Sequence, residues 1–205
     1  GARRVGRPTD ADSAETRRRL LDVARLQFAR DGFRATTNRS LALGAGLTPG
    51  AIYHYFESKA DLYAAVYCET IDRVYTAFEQ AAAGEGQLFD QYLAVLRLAR
   101  ELQEQDRSIT GFIVAVALET QRHPDLLERM APQRGRHQRF FGRLVEQAAA
   151  RGELQPGVDT AALADVLGSV LTGLARATAA ERDTRRYTAA VDVLERLFTG
   201  KLVER

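Results

Sequence analysis

Residues 46–56 read GLTPGAIYHYF, two glycines, a proline, three aromatics and a histidine in eleven positions. Thr48 followed by Pro49 is a helix start, because Thr caps well and Pro is tolerated at the first helical position. Laid out at 100° per residue, Ala51, Ile52, Tyr55 and Phe56 fall on one side and Pro49, Gly50, Tyr53 and His54 on the other. The first set is able to pack inward. A stripe of aromatics built only for a core keeps one face, so Tyr53 and His54, which lie opposite it, read as a contact surface. Gly50 leaves room for close approach, and helix-start N–H groups near Thr48 favour an anion. Tyr53 and His54 are hydrogen bonders of the kind that reach phosphate oxygens or base edges. The competing reading makes the whole run the core of a small three-helix unit.

The flanking residues extend this pattern. Thr37 caps a short helix through NRSLALG, and Gly46 closes a tight turn before Thr48. Two short helices joined by such a turn form a helix-turn-helix. Upstream, a helix begins at Asp12 or Ser13 with Glu15 completing a capping box, carries Leu20, Leu21, Ala24 and Phe28 on one face, and stops at Gly32. Downstream, Ser58 and Asp61 open a long helix that ends near Gly84, apolar at Leu62, Ala65, Val66, Tyr67, Val74 and Phe78. Further helices are expected over 87–105, 107–121, 124–151 with a kink at Pro132, 159–180 and 184–199, the last two capped by Asp159 and Asp183. The fold class is all-α, with about nine helices.

Composition narrows the function. The 205 residues are 45% apolar and 27% charged, as in an ordinary globular chain. Cys68 is the only cysteine, which excludes an intramolecular disulfide and any site built on several thiolates. No stretch reads as a membrane span, and the expected location is cytoplasmic. The net charge of +2 hides an asymmetry: residues 1–60 carry 11 Lys+Arg against 6 Asp+Glu, and residues 61–205 carry 18 against 21. The local excess is what a nucleic-acid reader joined to a second functional unit shows. His54, His123 and His137 are scattered, and no phosphate loop, zinc signature or nucleophile elbow occurs. Catalysis, a metal site and a cofactor are therefore not expected.

The run from Thr16 to Val66, TRRRLLDVARLQFARDGFRATTNRSLALGAGLTPGAIYHYFESKADLYAAV, resembles the DNA-binding domain of the tetracycline-repressor (TetR) family. The resemblance implies a flexible basic arm at 1–12, a helix-turn-helix domain at 13–58 and a ligand-binding and dimerisation domain at 59–205. Matched residue by residue, Thr37 and Arg39 are phosphate and base contacts, and Thr48, Pro49, Gly50 and Tyr53 are recognition-helix contacts. His54 is a contact of variable identity, and Lys59 is a lysine that grips phosphate from the start of the long helix. Tyr55 stands where the family often has a phosphate-touching histidine, although its angle places it among the anchors. Arg3, Arg4 and Arg7 have two readings, a minor-groove arm or a solvated tail that adds nonspecific attraction.

One short reading helix discriminates little, so a homodimer on a palindromic operator is expected. Ala161, Ala164, Gly168, Leu171 and Ala175, with Val191, Leu194 and Phe198, are candidates for a four-helix interface, since glycines in a helix are costly unless close packing offsets them. Between reader and interface, Tyr67, Tyr75, Phe78, Phe89, Tyr92, Phe112, Phe140 and Phe141 are either plain core or the lining of a pocket for a small apolar or aromatic effector. Thr110, Glu119 or Gln121 would supply its polar anchors. The sequence thus points to a ligand-responsive transcriptional regulator, a repressor first, with an activator or a scaffold protein without DNA readout as alternatives.

Overall fold

A computed structural model describes residues 10–84, 86–179 and 184–202. Arg3, Arg4, Arg7 and the cap expected at Asp183 lie outside the described residues. The chain runs through α1 (Asp10–Ala35), α2 (Asn38–Gly44), a 3₁₀ helix (Pro49–His54), α3 (Lys59–Ala83), α4 (Leu88–Gln105), α5 (Arg107–Arg122), α6 (Asp125–Arg129), α7 (Arg136–Ala150), α8 (Thr160–Thr178) and α9 (Arg185–Phe198). Among the described residues there is no strand.

Local chemistry sets these boundaries. Gly32 adopts φ 80° and ψ 171°, which breaks α1 where the sequence placed its stop. The start lies earlier than Asp12, at Asp10, so Asp12 and Glu15 sit inside the helix rather than at its cap. Thr37 and Ser40 cap α2 reciprocally: Thr37 Oγ1 accepts from the Ser40 amide at 3.0 Å and Ser40 Oγ from the Thr37 amide at 3.2 Å. Ser58 accepts from the Asp61 amide at 3.1 Å and opens α3. The helix expected over 124–151 is instead two, α6 and α7. Pro132 lacks an N–H, and Gly135, at φ 78°, takes a left-handed turn three residues later, so the segment breaks rather than kinks.

Two buried clusters result. One gathers Leu20, Phe28, Leu41, Ile52 and Phe56 with Leu62, Tyr63 and Val66 of α3, Phe112 and Val116 of α5, and Leu126 of α6. The other begins at Ile71 on α3 and holds Tyr75, Phe78, Tyr92, Phe140, Phe141, Leu167 and Tyr187. The changeover falls within α3, between Val66 and Ile71, and α5 serves both clusters. Helix α1 is fixed to α5 by polar contacts as well. Arg25, 6% exposed, pairs with Asp106, the N-cap of α5, at 3.0 Å. Burial raises the Asp106 pKa, but its bonds to Ser108 and its pairing with Arg25 outweigh that, leaving the net shift downward.

Helix α8 corrects the expected dimer face. Ala164, Gly168, Leu171 and Val191 are buried against their own chain, Ala175 lines an internal cavity, Ala161 is exposed at the start of α8, and Phe198 stacks on Phe89 at 4.3 Å. The outward apolar side shares only Leu194 with those candidates: Val166, Val170, Gly173 and Leu174 of α8 lie beside Ala189, Ala190, Val193, Leu194 and Leu197 of α9. By length and composition α8 is apolar enough to cross a membrane, with a mean hydropathy of 1.2. Apolar residues occupy both its sides, so periodicity could not tell the inner side from the outer. A Cβ at position 168 would lie 2.5 Å from His137 Nε2 and 3.1 Å from the Phe141 ring. Gly168→Ala is therefore expected to destabilise the fold by about 1–3 kcal/mol, lowering the melting temperature by roughly 2–10 °C. Gly142→Ala, with open space around it, should not lower it; thermal denaturation of both variants checks the assignment.

Candidate nucleic-acid interface and effector cavity

The segment 46–56 is built on a short 3₁₀ helix rather than an α-helix. The Ala51 amide donates to Thr48 C=O at 2.9 Å, and those of Tyr55 and Phe56 to Ile52 C=O at 2.9 and 3.0 Å. Thr48 has cap-like backbone angles but makes no side-chain cap bond. The division into two faces survives the tighter winding. Ile52 and Phe56 are buried at 1% and 7%, while Thr48, Pro49, Gly50, Tyr53 and His54 are exposed. Tyr55 is half-buried and packs against the reader's core, so its ring stands with the anchors.

Thr37 and Arg39, at the start of α2, are exposed next to this face. Asn38, which sequence reading passed over, donates from Nδ2 to the Tyr53 hydroxyl at 2.9 Å and so ties α2 to the 3₁₀ helix. Polar side chains of α1 hold the pair from behind. Gln27 exchanges bonds with Ser40, Nε2 to Ser40 C=O at 3.0 Å and Ser40 Oγ to Gln27 Oε1 at 2.8 Å, while Arg19 Nε donates to Ala45 C=O at 3.0 Å. The signal for these was weak, since nothing in a lone Gln or Arg on a polar helix face says which backbone it meets. Lys59 departs from its expected role. Its ammonium donates to Phe33 C=O at 2.7 Å, Thr36 C=O at 2.8 Å and Arg34 C=O at 3.4 Å, and lies 4.5 Å above the Phe33 ring. Carbonyls left open where α1 breaks attract the cation inward. Burial lowers its pKa, with Glu119 opposing.

A cavity of about 170 Å³ lies among α3, α4, α5, α8 and α9. Of the aromatic candidates, only Tyr75 and Phe78 line it, together with Ile71, Leu102, Ile113 and Leu171. Thr110 lines it as expected, and Gln103, Thr172, Arg176 and Tyr187 are polar members that sequence reading missed. The remaining candidates belong elsewhere. Tyr92, 0% exposed, donates to Leu167 C=O at 2.8 Å; Phe112 and Phe141 are core; Phe140 borders a separate groove with Glu79 and Arg143; Phe89 stacks on Phe198; Tyr67 is half-buried. Glu119 lies at the reader instead, its Oε1 accepting from the Phe33 amide at 3.2 Å. Inside the cavity wall, Tyr75 OH and His137 Nδ1 share a hydrogen bond of 2.6 Å, and burial lowers the His137 pKa. The Tyr187 hydroxyl is buried with no partner among the described residues, and burial raises its pKa.

Residues 20–66 match the family model for bacterial regulatory proteins of the tetR family, and residues 88–194 match that for the tetracyclin repressor-like C-terminal domain. The chain belongs to the TetR family. It is 24% identical over 193 residues to the HTH-type transcriptional regulator UidR of Escherichia coli, covering 93% of this chain and 95% of that one. Among solved structures it resembles Salmonella enterica GusR, with a TM-score of 0.74, 25% identity and coverage of 98% and 99%. It also resembles FadR from Bacillus subtilis in complex with stearoyl-CoA, with a TM-score of 0.76, 17% identity and coverage of 89% and 98%. As a TetR-family regulator it carries its helix-turn-helix in α2 and the 3₁₀ helix.

The two faces of that helix predict opposite responses to mutation. Ile52→Asp buries an unpaired charge and is expected to unfold the reader, seen as lost amide protection in α1 and α2. Tyr53→Ala gives up one exposed hydrogen bond and should change stability by less than about 1 kcal/mol in a thermal melt.

Proposed function

We propose that the protein is a ligand-responsive transcriptional repressor that binds a palindromic operator as a homodimer. What carries this reading is the exposed face of Thr48, Pro49, Gly50, Tyr53 and His54 held on the buried anchors Ile52 and Phe56. An exposed face whose Tyr53 hydroxyl is oriented by Asn38, and that abuts the exposed Thr37 and Arg39, suits a DNA groove. Residues 13–58 then form the reader, residues 59–205 the effector and dimer unit, and Tyr55 and Lys59 support the contacts from within. A regulator of this kind works in the cytoplasm.

The second copy docks on the outward apolar side of α8 and α9, where Val193 is 49% and Leu197 53% exposed. Pairing these helices with their equivalents gives a four-helix interface and sets two reading faces about one turn of DNA, ~34 Å, or a multiple apart. The effector enters the cavity. Its size is near that of a ~150 Å³ apolar cavity that holds benzene, which favours a compact, single-ring compound with a polar group for the Tyr187 hydroxyl. Binding releases DNA by favouring a conformation in which the reading faces no longer match the operator. A swing from about 99:1 to 1:99 needs roughly 5.5 kcal/mol of differential affinity, shared between two sites if both fill.

Footprinting on DNA upstream of its own gene is expected to give a two-fold protected site, and Tyr53→Ala to weaken binding there by about tenfold or more while the dimer persists. Val193→Asp should yield a folded monomer in sedimentation and lose the footprint. A protected site without two-fold symmetry, or none, would overturn the reading.

A further inference from the structure

The carboxylate of Glu119 lies away from the cavity and is nearly buried, at 9% exposure. It meets the chain at residues 32–36, the five residues that lead from the break in α1 into α2. Two side chains grip this segment from different helices. From α3, the Lys59 ammonium takes the carbonyls of Phe33, Arg34 and Thr36. From α5, Glu119 Oε1 takes the Phe33 amide at 3.2 Å, while Oε2 lies 4.0 Å from His123 Nε2. The His123 ring in turn packs edge-on against Phe33 at 5.0 Å. Space is tight here: a Cβ on Gly32 would come within 3.0 Å of Glu119 Oε1. The same helix that carries Glu119 also walls the cavity with Ile109, Thr110, Ile113, Val114 and Ala117.

We propose that Glu119 is a positioning residue that clamps residues 32–36, together with Lys59, and so couples the cavity wall of α5 to the orientation of the reading face. The inference rests on the proposed DNA-binding function. A hydrogen bond of 3.2 Å is lost when α5 moves by less than 1 Å, because such bonds weaken steeply beyond about 3.2–3.5 Å. An amide released at this part-buried site loses its acceptor. The segment then rearranges around the Lys59 grip, and α2, which follows directly after its cap Thr37, turns with it together with the 3₁₀ helix bonded to it through Asn38 and Tyr53. Transmission through α5 does not require the whole of α3 to swing.

The test uses the full-length dimer and a duplex selected from random DNA. In Glu119→Ala the affinity for this duplex should fall by about tenfold, the amount expected when a part-buried amide loses its partner. Glu119→Gln keeps an acceptor and should stay within about threefold. Hydrogen exchange supplies a readout that loss of general packing would not give: the Phe33 amide exchanges faster in Glu119→Ala alone, while amides at Leu20–Phe28 keep their protection. In the wild type, saturating duplex should slow exchange at Phe33 but not at the distant Tyr92, by linkage; this readout stands even if Glu119→Ala fails to fold. Wild-type affinity in Glu119→Ala, equal losses in the Gln and Ala variants, or Phe33 exchange indifferent to the duplex would each overturn the clamp. Failure of the wild type to select any duplex would instead sink the DNA-binding function.

Discussion

Phe28, Tyr63 and Phe112, from α1, α3 and α5, meet in one buried triangle: Phe28–Tyr63 at 4.8 Å, Tyr63–Phe112 at 5.1 Å and Phe28–Phe112 at 6.5 Å. All three are at most 1% exposed. The first two contacts have the tilted or edge-on geometry that aromatic quadrupoles favour. Removing any one leaves a large void, since burying a side chain of this size contributes about 1.5–3 kcal/mol. Helices α1 and α2 and the 3₁₀ helix share one buried cluster with α3, α5 and α6, and this triangle lies within it. The exposed face of the six-residue 3₁₀ helix, proposed to read DNA, therefore depends on side chains more than fifty positions away.

Polar contacts give the triangle its direction. Arg25 meets Asp106 near the start of α5, and the Phe33 amide meets Glu119 near its end. Apolar packing alone tolerates sliding, whereas these contacts fix α1 against α5 in one register. An ion pair of a 6%-exposed arginine and a hydrogen bond to a nearly buried carboxylate are costly to leave unmade. The junction is stiff for small displacements and gives way once its bonds part, which is the behaviour a two-state regulator needs.

How much of this was legible in the sequence follows from the range of the physics. Caps and breakers act over three or four residues, so Thr37, Ser58, Asp159 and Gly32 were read correctly, as was the inward face of α1 from Leu20 to Phe28. The split of Ile52 and Phe56 from Tyr53 and His54 was legible because a short amphipathic element has one partner. Illegible positions were those where several partners compete. Tyr92 and Phe112 look the same as Tyr75 and Phe78 in a helical pattern, and only packing decides which pair borders empty space. Gly168 and Gly173 are alike in composition, yet one faces His137 and the other the outer groove. Glu119 and Lys59 looked like a pocket anchor and a phosphate grip, because local sequence does not record that a strand of backbone 86 or 26 residues distant needs their charge.

Helix α8 shows what such competition serves. Its inner side supplies Leu171 and Ala175 to the cavity, and its outer side, with α9, carries an exposed apolar surface. Across the cavity stands α5, fastened to the reader. On the proposed reading, an effector touches at once the wall that joins the two protomers and the wall that holds the DNA-reading face. A ligand that outgrows the cavity of about 170 Å³ displaces a wall or extends through its opening. Helices α8 and α9 would be braced by the partner chain across a broad apolar surface. Helix α5, packed on α1 through Phe28 and Phe112 and tied to it at its ends by Arg25–Asp106 and Phe33–Glu119, is on that reading the wall through which a displacement reaches the DNA-reading face.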